Sequence, residues 1–163
     1  MTVLFSDIEA AARQYGDSIL RTQCSFSHSL TQCTGAEVYV KYENKQHTGS
    51  FKVRGALTKL LTLTEEQRSR GVIAMSAGNH AQGVAYNAKR LGLRATIVMP
   101  DSTPFTKIRN TTNLGANVVI EGATLSDAER HAETLASDQG LTFIHPFNDN
   151  SVIAGQGTIV LEL

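Results

Sequence analysis

Apolar and polar positions follow a regular rhythm through the middle of the chain. Four short apolar runs, at residues 72–75, 96–99, 117–120 and 142–145, alternate with stretches of helical periodicity. The runs are apolar almost throughout, which is typical of strands that are covered on both faces. The pattern therefore predicts an α/β fold over residues 50–150, a three-layer unit in which four parallel strands are joined by flanking helices.

The flanking segments show weaker patterns. Residues 6–15 have helical spacing behind a capping-box pattern at Ser6 and Glu9, and Gly16 is expected to end that helix. Residues 37–42 alternate as in a strand, without an evident partner strand, whereas residues 17–35 predict no element. A further helical pattern begins at residue 153.

These patterns predict three parts of the chain. Residues 1–49 form a helix and a strand of an incomplete larger domain, residues 50–150 form the α/β unit, and residues 151–163 begin a helix of a further region.

The composition argues against several classes of protein. Lys plus Arg equals Asp plus Glu at 15 each, so there is no net charge with which to bind nucleic acid or an anionic membrane. No apolar run approaches the ~20 residues of a membrane helix, and the N-terminus lacks the pattern of a secretory signal. Two cysteines form no disulfide framework, which favours the cytoplasm. Cys24, His28 and Cys33 match no zinc spacing, so no metal ligands are assigned.

Lys52 is the first candidate for chemistry. Most lysines near the start of a helix are solvated surface residues. Lys52, however, follows a Gly-Ser turn and stands beside Phe51. Desolvation in such a place lowers the pKa of the amine and makes it a nucleophile for carbonyl groups.

The second candidate is the segment at residues 76–80, Ser-Ala-Gly-Asn-His, between the first apolar run and a helix. In a parallel sheet this junction lies at the carboxyl ends of the strands, where ligands bind. N–H groups at a helix N-terminus attract a carboxylate or phosphate, and Gly78 allows a close approach. The alternative is an ordinary strand–helix turn with Asn79 as a cap.

Together the two segments resemble the fold-type II pyridoxal-phosphate enzymes, specifically the threonine dehydratases (threonine ammonia-lyases). The matching motifs are Thr-Gly-Ser-Phe-Lys at 48–52 and Ser-Ala-Gly-Asn-His-Ala-Gln-Gly at 76–83. Further matches follow in the same order and spacing, at 96–100, 115–119, 145–147 and 153–158. The resemblance extends from about Ile19 to the last residue.

This resemblance implies pyridoxal 5'-phosphate as the cofactor and assigns a role to each matching residue. Lys52 binds the cofactor covalently and moves the α-proton of the substrate, Phe51 packs beside the ring, and Asn79 hydrogen-bonds the phenolic oxygen. The substrate carboxylate is held by the segment Ser76, Ala77, Gly78, Asn79 and His80. For His80 an alternative stays open, in which its side chain only shapes the loop.

The reaction implied is loss of water from a small hydroxy amino acid, threonine or serine, giving a 2-oxo acid and ammonia. Related serine racemases carry a second serine at the position of Ala77, and alanine has no proton to deliver to the opposite face of the substrate. Ala77 therefore favours dehydration over racemisation. Two alternatives remain, a lyase or racemase acting on serine or 3-hydroxyaspartate, and a non-catalytic binding module.

The resemblance also implies that the active site is shared with residues beyond this stretch. Family chains are about twice as long, usually assemble as homo-oligomers, and hold the cofactor phosphate with a glycine-rich loop in their later half. The expectation is a truncated dehydratase that is nearly inactive alone. Its role in isoleucine biosynthesis or threonine catabolism stays open.

Overall fold

A computed structural model describes residues 2–163, which form eight α-helices, four short 3-10 helices and six strands within that range. The helices are α1 (Phe5–Arg13), α2 (His28–Thr34), α3 (Lys52–Leu61), α4 (Glu65–Arg70), α5 (Asn79–Arg90), α6 (Phe105–Asn113), α7 (Leu125–Gln139) and α8 (Asn150–Gly157). The strands are β1 (Cys24–Phe26), β2 (Tyr39–Lys41), β3 (Val72–Met75), β4 (Ala95–Met99), β5 (Asn117–Ile120) and β6 (Thr142–Phe143).

The central sheet has the strand order β5-β4-β3-β6, and all of its pairings are parallel. The predicted α/β fold and its four parallel strands are thereby confirmed. Successive residues of β3 face opposite layers: Val72 packs with the core under α5, whereas Ile73 packs with Ala128 and Ala132 of α7. Both faces of the central strands β3 and β4 are buried, which explains why these strands do not alternate between apolar and polar residues.

The expectation that residues 37–42 lack a partner strand is wrong. β2 pairs antiparallel with β1, and Ser25 lies opposite Val40. The partner lies within residues 17–35, where the pattern predicted no element. A three-residue strand that is largely exposed carries too little alternation to be recognised, and α2 separates the two strands in the sequence.

The boundaries of the first and last helices differ from those predicted. The predicted capping box of Ser6 and Glu9 is not the one that forms, since the Leu4 N–H donates a hydrogen bond to the Asp7 carboxylate at 2.8 Å. Helix α1 ends at Arg13, three residues before Gly16. The last helix begins at Asn150, earlier than residue 153, because the Asp149 carboxylate accepts hydrogen bonds from the first turn of α8.

Helix α3 lies against α8 and α5 at points where a glycine replaces a larger side chain. A Cβ on Gly155 of α8 would lie 2.7 Å from the Gly55 Cα of α3. A Cβ on Gly83 of α5 would lie 3.1 Å from the carbonyl carbon of Lys52. The buried Asn87 of α5 also donates a hydrogen bond to the Val53 carbonyl at 2.8 Å. The first turn of α3 is therefore held from two sides.

Arg54, in the same turn, is fully buried and forms bidentate ion pairs with two carboxylates. Its Nε and Nη2 bind Glu43 at 2.9 Å each, and its Nη1 and Nη2 bind Glu162 at 2.7 and 3.1 Å. Burial alone raises the pKa of each glutamate, but the hydrogen bonds and charge of Arg54 outweigh it and lower both pKa values. The network joins α3 to segments far away in the sequence.

Two other classes of feature are absent from the described range. No helix within residues 2–163 combines the length and the apolar character needed to cross a membrane. Over the same residues, no three His, Cys, Asp or Glu side chains converge as a metal site, and Cys24 and Cys33 are both exposed and free.

The close contact between α3 and α8 leads to a stability prediction. We expect Gly155→Ala to lower the free energy of unfolding by about 1–3 kcal/mol, because the new Cβ meets backbone of α3 that cannot move aside. Gly157→Ala, in the same helix, is the matched control, since its Cβ meets the flexible side chain of Ile8. Urea unfolding of both variants checks this, and equal losses would contradict it.

Candidate active site

The candidate site lies at the carboxyl edge of the parallel sheet. β3 ends at Met75 and leads into residues 76–78 before α5, while β6 ends at Phe143 and leads into residues 144–149 before α8. The first turn of α3 reaches the same edge, because the Lys52 Nζ donates a hydrogen bond to the Pro146 carbonyl at 2.7 Å. Residues separated by 94 positions in sequence are thereby brought together.

Lys52 has the environment that its sequence context predicts. It is the first residue of α3 and is partly buried, and this burial lowers the pKa of its amine. The Phe51 ring lies beside Lys52, and the Lys52 Nζ is 5.4 Å from the ring centroid. Phe51 itself is 39% exposed. A larger share of neutral amine is therefore available near neutral pH than for an ordinary lysine.

Residues 76–79 form the turn into α5. The Ser76 N–H continues the sheet pairing to the Val98 carbonyl at 3.2 Å, and the Ser76 hydroxyl accepts a hydrogen bond from the Gly78 N–H at 3.1 Å. Space beside Gly78 is open, and Ala77 is partly buried while Asn79 is exposed. Since the first N–H groups of a helix have no partners within it, this turn presents donors at the sheet edge.

His80 lies deeper than the rest of that segment. Its side chain is 2% exposed, and its Nε2 lies 2.9 Å from the Ile144 carbonyl oxygen. Burial, opposed in part by this hydrogen bond and reinforced by the positive charge of Lys52, lowers the pKa of His80 to about 4. The imidazole is consequently neutral at neutral pH.

The segment after β6 is held by its own side chains. The His145 Nδ1 accepts hydrogen bonds from the N–H groups of Phe147 at 3.2 Å and Asn148 at 2.8 Å. At the far end, Asp149 forms an ion pair with Lys59 of α3 at 2.6 Å. Residues 145–149 are therefore fixed relative to α3.

Sequence reasoning singled out Lys52, Phe51 and the segment from Ser76 to His80 as candidates, but it did not predict the two carbonyls that Lys52 and His80 contact. The contacts are made by the main chain of Ile144 and Pro146, which any residue type supplies, so composition and spacing carry no signal for them. Arg54 was also missed as a structural centre. The sequence offered one signal of its burial, namely a charged residue within an apolar helical stripe.

Comparison with known proteins agrees with this architecture. Residues 16–163 match the family model described as pyridoxal-phosphate dependent enzyme. The L-threonine ammonia-lyase of Thermotoga maritima is 50% identical over 161 residues, which are 99% of this chain and 40% of that protein.

Two solved structures are similar over almost the whole chain. The processed form of threonine deaminase isoform 2 from Solanum lycopersicum superimposes with a TM-score of 0.90 and 42% identity, over 97% of this chain and 43% of that one. Maize serine racemase gives a TM-score of 0.94 with 33% identity, over 99% of this chain and 49% of that one.

The chain thus spans less than half the length of each of these three proteins. The family match covers the first turn of α3, the turn into α5 and the segment after β6. On this match, the chain belongs to the family of pyridoxal-phosphate dependent enzymes.

Proposed function

We propose that this chain carries the lysine side of the active site of a pyridoxal-phosphate-dependent threonine/serine dehydratase. The observation that supports this most directly is the Lys52 amine, which is partly buried, lowered in pKa and held at the carboxyl edge of the sheet. The 50% identity to an L-threonine ammonia-lyase supports this reaction for this chain.

The residues at this edge fit the aldehyde end of the cofactor. An aldehyde reacts with a neutral amine, and burial favours the neutral form of Lys52. Phe51 offers an aromatic face beside that amine. Asn79, exposed at the start of α5, is the residue that we assign to the phenolic oxygen of the cofactor.

The rest of the proposed chemistry concerns the substrate. The turn formed by Ser76, Ala77, Gly78, Asn79 and His80 holds the substrate carboxylate through helix N-terminal N–H groups. When bound, the cofactor supplies a conjugated ring that accepts the electrons left on the α-carbon. The Lys52 Nζ takes the α-proton, the β-hydroxyl leaves as water, and hydrolysis of the product releases a 2-oxo acid and ammonia.

Racemisation is the second candidate, because maize serine racemase has a closely similar structure. A racemase must return a proton to the face of the substrate opposite the lysine. Ala77 has a methyl group and supplies no proton there. The residues at the turn therefore support dehydration over racemisation.

The setting that we propose follows from the same family. The substrate is a free small amino acid, and the protein acts in the cytoplasm as a homo-oligomer without binding nucleic acid or membrane.

One prediction of the proposed function concerns which lysine the cofactor labels. Borohydride reduction after addition of pyridoxal phosphate should label Lys52, and the extent of labelling should rise with pH to a midpoint below 10.5, because burial lowers the pKa of this amine. Peptide mapping measures the site. Lys52→Ala should lose the label, whereas Lys45→Ala, at an exposed lysine, should keep it. Labelling mainly at Lys41, Lys45 or Lys59 would show that the assignment is wrong.

The second prediction concerns turnover by a polypeptide of these 163 residues. The proposed contacts hold the aldehyde side of the cofactor. They do not include the cofactor phosphate, which forms the strongest charge-assisted hydrogen bonds. Three missing charge-assisted hydrogen bonds at about 1.5–3 kcal/mol each would weaken binding by ~10³-fold or more.

Production of 2-oxobutanoate from threonine with excess cofactor should therefore be far slower than by the Thermotoga maritima L-threonine ammonia-lyase measured alongside. Lys52→Ala is the control for background. A turnover within about tenfold of that relative would refute the prediction, since tenfold corresponds to the loss of only about one such contact.

A further inference from the structure

Main-chain carbonyls of one short segment, residues 144–146, form hydrogen bonds with the side chains of both His80 and Lys52. The His80 Nε2 lies 2.9 Å from the Ile144 carbonyl, and the Lys52 Nζ lies 2.7 Å from the Pro146 carbonyl. The two side chains come from α5 and α3, and the segment follows β6. Three separate elements therefore meet through two hydrogen bonds.

The hydrogen bond to Ile144 determines the tautomer of His80. A carbonyl oxygen only accepts, so the Nε2 must carry the proton and donate it. The Nδ1 is then an unprotonated acceptor, and it is buried without a hydrogen-bond partner among the described residues. An imidazole in this state has no N–H left to offer to a substrate carboxylate.

The charges around His80 keep it in this neutral state. Lys52 faces it from α3, and the positive charge of Lys52 opposes a second one on His80. His145, whose Nδ1 accepts hydrogen bonds, faces it from the segment after β6. Protonation of the Nδ1 would also place a donor in a buried position without an acceptor. The hydrogen bond to Ile144 therefore persists over the whole neutral range.

We infer that His80 is a positioning residue for Lys52: its neutral imidazole anchors residues 144–146, and the Pro146 carbonyl then holds the Lys52 amine at the sheet edge. The inference rests on the proposed role of Lys52 as the cofactor lysine. It resolves the two roles open for His80 in favour of shaping the site. It leaves the carboxylate to main-chain N–H groups at the turn into α5 other than those of Ser76 and Gly78, which already donate hydrogen bonds.

The test measures the reactivity of Lys52 without the cofactor. Acetic anhydride at low concentration modifies neutral amines, and peptide mapping over a range of pH gives the rate at Lys52. Two variants of His80 are compared. His80→Gln keeps an N–H donor near the position of Nε2, whereas His80→Leu removes the donor at similar bulk.

We expect His80→Leu to release residues 144–146, so that water reaches the Lys52 amine and replaces the Pro146 carbonyl as its acceptor. The burial that lowers the pKa of Lys52 is then relieved, and this pKa rises towards the ordinary value. Acetylation at pH 8 should slow by at least about threefold, because each unit of pKa changes the neutral fraction about tenfold. His80→Gln should restore most of the wild-type rate. Ala132→Gly, in α7 on the opposite face of the sheet, controls for general loss of stability and should leave the rate unchanged.

Unchanged acetylation of Lys52 in a folded His80→Leu variant would overturn the inference, as would equal slowing in Ala132→Gly. If His80→Leu does not fold, nitrogen NMR of the wild-type imidazole decides. We expect an Nε2–H tautomer that stays neutral down to about pH 5, consistent with a pKa of about 4. An Nδ1–H tautomer or an imidazolium at about pH 6 would refute the inference.

These outcomes separate this inference from the proposed function. If pyridoxal phosphate labels a different lysine, the proposed cofactor role fails, yet acetylation still reports whether His80 controls the amine of Lys52. If pyridoxal phosphate labels Lys52 but acetylation is insensitive to His80, the cofactor role stands and the positioning role fails.

Discussion

The placement of α3 is the constraint on which the rest of the structure depends. Its first turn carries Lys52 and lies so close to α8 and α5 that side chains at Gly155 and Gly83 would collide with it. Close packing of this kind leaves a helix little freedom to shift or rotate, since interiors are packed as densely as organic crystals. A lysine at the start of such a helix has a defined position even though its own side chain is long.

Buried charge reinforces that placement. Arg54 is two residues beyond Lys52 and forms bidentate ion pairs with the carboxylates of Glu43 and Glu162. The two carboxylates are balanced by Arg54 together with Lys41, which binds Glu162 at 2.6 Å. A buried charge that loses one partner is costly, so any rearrangement that moves α3 away from Glu43 or Glu162 is unfavourable. Its contribution is to specify one arrangement, more than to add stability.

The same logic extends to the carboxyl edge of the sheet. Parallel strands bring their ends to one side, and there the turn into α5 and the segment after β6 lie next to α3. The Lys52 amine donates a hydrogen bond to a backbone carbonyl of the segment after β6. The same segment is hydrogen-bonded to His80 of α5. An amine that is held and partly desolvated in this way has a larger neutral fraction, which is the form that reacts with aldehydes and is consistent with the role proposed for Lys52.

The sequence by itself determined the α/β class and the four parallel strands, and it marked Lys52 as a candidate for chemistry. Apolar runs such as 72–75 are local patterns, and the motif around Lys52 is continuous in sequence, so both are visible without coordinates. It did not reveal the pairing of β1 with β2, because strands of three residues have no measurable period.

Only the tertiary structure decided which distant groups meet. The carbonyls of Ile144 and Pro146 are present in every peptide unit, and nothing in the residue types marks them as the partners of His80 and Lys52. The burial of Arg54 likewise depends on helices and a C-terminal turn that come together in space. Contacts of this kind are set by how the layers pack, and packing is a property of the whole fold and not of any local stretch of chain.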